Sequence, residues 1–131
     1  MDGQGFPLKD PKNQSDKENR MSVPGTWNSY YDWSCSGNYA HDIVTFNTNG
    51  TFSDSQGGTG KWSSHDGQLL LQYDNSLHTA YEGTVVDSAI VGISSTFSGL
   101  SGCWYAIKST ATAKPSAERT QKHSISGEPV K

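Results

Sequence analysis

Between Gly25 and Lys108 the chain repeats one pattern eight times: five to ten residues in which apolar and polar side chains alternate, the runs separated by turns. Alternation with period two is the mark of a strand with one buried face. The runs are TWNSYYDWSC, HDIVTFN, TFSDS, TGKWSS, QLLLQYD, HTAYEGTVV, AIVGISSTF and CWYAIK. Asn49-Gly50 is expected to supply the positive φ angles that a two-residue hairpin turn requires. Gly57-Gly58, Asp66-Gly67, the loop near Asn75-Ser76, Asp87-Ser88 and Gly99–Gly102 separate the other runs. No ten residues in this window hold apolar side chains at helical spacing without a glycine or turn pair interrupting, so no helix is expected.

Eight sequential strands joined by tight turns have two main solutions, a sandwich or an up-and-down barrel. A Greek-key sandwich needs at least one long connection, and none is visible. The fold class expected is therefore all-β, a single eight-stranded antiparallel up-and-down barrel, whose closure also removes exposed strand edges. Such a barrel is just wide enough to be filled by side chains or to hold one small ligand.

Only 32% of the 131 residues are hydrophobic, so a few large side chains have to supply the core. Of fourteen Phe, Tyr and Trp residues, thirteen lie between Trp27 and Tyr105. That distribution fixes the domain boundaries. Residues 1–24 and 109–131 are rich in Lys, Asp, Ser, Thr, Gln and Gly, and are expected to be disordered tails flanking a barrel over 25–108. The first twenty residues lack the apolar run of a secretion signal, and no run approaches the roughly 20 apolar residues of a membrane span. A soluble protein of undetermined compartment is expected.

The barrel window holds Lys61 and Lys108 against six aspartates and Glu82, a net of −5. Nucleic-acid backbones are held by clustered Lys and Arg, which this window lacks, so no nucleic-acid partner is expected. Cys35 lies at the end of the first run and Cys103 opens the last. In a closed antiparallel barrel these ends are neighbours, so the two cysteines meet where the sheet closes. A disulfide there would close a loop of about 70 residues, a constraint worth about 4 kcal/mol on the loop-entropy argument. Without a CxxC motif or paired histidines they form no metal cluster.

Gly25-Thr26-Trp27 at the head of the first run, Phe46 to Phe52 (FNTNGTF), Gly60-Lys61-Trp62, and Gly102 to Ala106 (GCWYA) resemble small bacterial lipocalin-like domains of the calycin superfamily. The resemblance covers residues 25–108. It implies that Trp27 lies across the closed end of the barrel with a basic residue of the last strand on its ring. The barrel window has no arginine, and Lys108 is the only candidate for that contact.

No Ser-His-Asp set, HxH or HExxH pattern can be assembled from His41, His65, His78 and His123. The carboxylates Asp66, Asp74 and Asp87 occupy turn positions, where they bond nearby backbone. An enzyme, a cofactor and a metal are not expected. The aromatics carry the functional reading, since small-molecule sites are mostly apolar hollows with a few orienting polar groups. The function expected is non-enzymatic binding of a small hydrophobic or aromatic molecule in the barrel mouth, lined by Tyr31, Trp33, Trp62 and Tyr81. Asn28 or Tyr73 would serve as orienters only if the parity shifts by one. The alternative is a protein-interaction module, such as a barrel-type protease inhibitor, with a side-chain-filled interior. A monomer is expected. Trp104 and Tyr105 alternate, so one of them faces outward beside the seam.

Overall fold

The computed structural model describes residues 23–109 and 121–130. Eight strands, β1 (Gly25–Trp33), β2 (Ala40–Phe46), β3 (Thr51–Asp54), β4 (Thr59–His65), β5 (Gln68–Tyr73), β6 (Ala80–Val86), β7 (Ala89–Ser95) and β8 (Ser101–Lys108), follow one another around a closed antiparallel barrel. Closure is made by β1 against β8, from Trp27 opposite Lys108 to Trp33 opposite Gly102. No described residue is helical. The expectations for residues 1–22, 110–120 and 131 lie outside the described residues.

Turn chemistry sets the register. At Asp66-Gly67 both residues have positive φ, 54° and 77°, which produces the tight turn pairing His65 with Gln68. The Asn49-Gly50 expectation needs correction. Only Gly50 is left-handed there, and the connection is a longer loop in which the Asn47 amide bonds the Thr51 carbonyl and the Gly50 amide the Asn47 carbonyl. Asn49 instead uses its side chain to accept from the Thr51 amide at 3.1 Å.

One end of the barrel, which we call the base, carries the β2–β3, β4–β5 and β6–β7 turns. Trp27 is fully buried there, donating from Nε1 to the Val23 carbonyl at 2.8 Å, with Phe46 edge-on at 6.5 Å and Lys108 Nζ 5.7 Å from its ring centre. The opposite end carries the loops 34–39, 55–58, 74–79 and 96–100.

Cys35 and Cys103 are joined in a disulfide, with Cα atoms 5.2 Å apart. Alternation along the first run would set Cys35 on the same face as Trp27, Ser29, Tyr31 and Trp33, and the structure corrects this. Strand β1 ends at Trp33, and Ser34 and Cys35 turn left-handed, with φ of 74° and 50°. That turn takes Cys35 off the inward face of Tyr31 and Trp33 and brings it to the side of Cys103. On β8, Trp104 faces inward and Tyr105 outward, where Tyr105 stacks on Tyr30 at 4.8 Å.

Residues 121–130 differ from the tail expected over 109–131. They form a turn in which His123 bridges Pro129, the Ser124 amide bonds the Glu128 carbonyl, and the Gly127 amide bonds the Ser124 carbonyl. Ile125, at the tip, is 2% exposed. A single apolar side chain between serines is a weak signal in sequence, yet the barrel supplies the surface that buries it.

Candidate site at the loop end of the barrel

Period two sends Tyr31 and Trp33 of β1, Tyr73 of β5, Tyr81 of β6 and Trp104 of β8 inward at the loop end, all of them buried. Their rings form a chain of contacts, edge-on from Trp33 to Tyr81 at 5.9 Å and from Tyr81 to Trp104 at 5.2 Å, and tilted from Tyr73 to Tyr81 at 6.2 Å. Trp33 fits closely because β8 has Gly102 beside it. A Cβ at that glycine would stand 2.9 Å from the Trp33 ring.

The turn of residues 121–130 is seated on this ring of aromatics by hydrogen bonds from side chains to its backbone. Trp33 Nε1 donates to the Ser124 carbonyl at 2.8 Å and the Tyr81 hydroxyl to the Ile125 carbonyl at 2.6 Å. The Ile125 amide donates to Gln56 Oε1 at 3.2 Å. Thr79 Oγ1 and Asn75 Nδ2 donate to the Ser126 carbonyl at 2.7 and 3.1 Å. Beneath Ile125 the barrel keeps a cavity of about 10 Å³ between Trp27, Leu71, Tyr81 and Trp104, room for at most one water. A separate hollow of about 540 Å³ on the surface, an open trough beside Lys61, Gln72 and Asp74, shares only Tyr73 with the lining of this cavity.

Two carboxylates also face inward here. Asp54 of β3 is fully partnered: Oδ1 accepts from the Gln56 and Gly58 amides, each at 2.8 Å, and Oδ2 from the Tyr73 hydroxyl at 2.8 Å. Asp42 of β2 is 3% exposed and accepts at Oδ1 from the Ser55 hydroxyl. Its Oδ2 has no hydrogen-bond partner among the described residues. Burial pushes the Asp42 carboxyl up to about 6, the Ser55 bond opposing and the charge of Asp54 reinforcing that shift. Burial likewise raises the Tyr73 and Tyr81 hydroxyls well above the usual phenol range, and both carboxylates add to the shift.

No protein-family profile and no curated protein matches the chain.

Of the four residues expected to line the mouth, Tyr31, Trp33 and Tyr81 come together. Trp62 does not join them. It lies toward the base, edge-on to Phe46 at 5.7 Å, with Nε1 donating to the Asn47 carbonyl at 2.9 Å. Tyr73, set aside on parity, faces inward and is buried, while Asn28, also buried, lies on the other face of β1, where its Oδ1 accepts from His41 Nε2 at 2.8 Å. Sequence reasoning missed Asp42 and Asp54, although the parity signal was present. Val44 and Phe46 face inward on one strand and Phe52 on the next, so Asp42 and Asp54 must do so too. Among the described residues no group of three His, Cys, Asp or Glu could hold a metal ion, and no helix is long and apolar enough to cross a membrane.

Proposed function

We propose that the protein is a lipocalin-like, non-enzymatic binding protein whose site is the loop end of the barrel, in the place now held by Ser124–Ser126. The observation that carries this reading is the seating of Ile125. An apolar hollow accepts its side chain while Trp33, Tyr81, Gln56, Thr79 and Asn75 bond the adjoining backbone. Small-ligand sites combine the same two ingredients, a desolvated hollow and a few fixed polar groups. A ligand entering here displaces the turn, because the cavity below it is too small to accept one.

The test uses the whole chain and a Gly127→Val variant. Gly127 has φ of 86°, and a Cβ there would lie 2.9 Å from Thr79 Oγ1 and from Thr96 Cγ2, so valine lifts the turn without altering the aromatics beneath. Small aromatic and aliphatic probes are titrated while the fluorescence of Trp33 and Trp104 is followed. Saturable change, stronger in Gly127→Val, is expected.

A second reading, an interaction module with a filled interior, is favoured by the same small cavity and by Phe97, 81% exposed on a loop of this end. Silence from every probe with both proteins would leave that second reading in place.

A further inference from the structure

Among the described residues Asp42 is the one buried side chain of the loop end with a polar atom, Oδ2, that has no hydrogen-bond partner, although the Ser55 hydroxyl and the Ile43 and Ser55 amides act on its carboxyl group. A buried carboxylate oxygen that lacks a donor is costly, and native interiors seldom keep one. The neighbours do not remedy it. Asp54 brings a second negative charge and is itself satisfied by three donors. The turn of residues 124–126 gives its amide to Gln56 and takes bonds on its carbonyls, contributing no donor to Asp42. Lys61 points outward on β4, Lys108 stands at the base and Lys122, on the turn itself, is exposed, so among the described residues no lysine is buried in this part of the interior.

We propose that the mouth selects a small organic cation, an ammonium group carried on an apolar or aromatic body, with Asp42 as its counter-ion. The inference rests on the mouth reading above and narrows its ligand class. The ammonium supplies the donor that Asp42 Oδ2 lacks, which the protein's own turn cannot do, and this is why such a ligand competes with the turn. The electron-rich faces of Tyr31, Tyr81 and Trp33 favour the same charge. A carboxylate ligand is opposed by two fixed negative charges, and a neutral one leaves Asp42 as it is. Selectivity thus comes from electrostatics and hold from the aromatic walls.

The groups facing Asp42 are Ser55 from the loop after β3, Asp54 of β3, and the hydroxyls of Tyr73 and Tyr81. Neither phenol ionises in the working range, since both are raised. Loss of the Asp42 charge below about 6 therefore weakens amine binding as pH falls.

Three probes of one shape decide the matter: 2-phenylethylamine, 2-phenylethanol and 3-phenylpropionate, titrated calorimetrically and by tryptophan fluorescence into the whole chain, Gly127→Val, and each of these with Asp42→Asn. The amine is expected to bind at least about tenfold more tightly than the alcohol, a difference typical of one buried charge-assisted bond, and the carboxylate not at all. Asp42→Asn should bring the amine down to the level of the alcohol and leave the alcohol unchanged, which loss of fold would not do. Equal binding of amine and alcohol, or an amine affinity indifferent to Asp42→Asn, overturns the cation inference while the mouth reading stands. Failure of all three probes with every protein overturns both.

Discussion

The two ends of the barrel are closed by opposite means. At the base the closing groups are Trp27, Phe46 and Val23, and the rings there are fixed by indole bonds to backbone carbonyls, Trp27 to Val23 and Trp62 to Asn47. At the loop end four connections, three of them longer than any at the base, surround tyrosines, two inward carboxylates and a segment far along the chain, held largely by bonds from side chains to its backbone. The base uses burial of apolar area, which is strong and indifferent to what fills it. The loop end uses directional bonds, which specify an occupant and can be exchanged for those of another. One barrel thus separates the part that stabilises it from the part that can bind.

If that contrast is real, the largest loss of stability comes from the base. Trp27→Ala removes a fully buried indole and leaves Phe46 and Lys108 without the ring they pack on, so a loss of about 3–5 kcal/mol is expected in denaturant unfolding. Cutting the seam comes next. The bond between Cys35 and Cys103 spans 68 positions, and replacing both residues with serine is expected to cost about 2–4 kcal/mol under oxidising conditions and nothing in excess reductant.

The base and the aromatic walls were legible in sequence because period two is enforced by the pleat, and each tight turn fixes the next register. The inward direction of Trp27, Tyr31, Trp33 and Tyr81 follows from that rule. Cys35 departed from it because the strand stopped two residues earlier, and a left-handed turn has no parity. Trp62 obeyed it, but parity says which face a residue takes and not which end, so a correct inward direction was assigned to the wrong end. Residues 121–130 were illegible for another reason. Their order derives from a surface built by Trp33, Tyr81, Gln56 and Thr79, all at least 40 positions away, and composition registers only local sequence.

Asp42 gives the two ends different responses to acid. Its carboxyl is raised from 3.8 to about 6 in the folded protein, so the fold favours the protonated form. The stability it contributes is fully present below about 4 and is lost as pH rises through about 6, a change on the order of 3 kcal/mol. Asp42→Asn removes that dependence. The difference in unfolding free energy between wild type and variant should therefore grow in the variant's favour from pH 4 to 7 and level off above. A difference that stays flat over the range would mean that the fold does not raise Asp42.

The smallest global effect is expected where the local effect is greatest. Ile125→Ala removes most of a side chain that is 2% exposed, which in a core strand would cost about 2–5 kcal/mol. The turn bearing it, however, is joined to the barrel by bonds it can release without disturbing any strand pair, and such segments open with free energies well below that of global unfolding. Alanine should then lower the unfolding free energy by less than about 1 kcal/mol. It should also speed hydrogen exchange at the amides of Ser124 and Gly127, whose bonds exist only in the seated turn. Exchange at Trp27 and Val44, in the ladders that close the base, should not change. If instead Ile125→Ala destabilised the whole protein as much as Trp27→Ala, the turn would be part of the cooperative core, and the two ends would not differ in the way that binding at one of them requires.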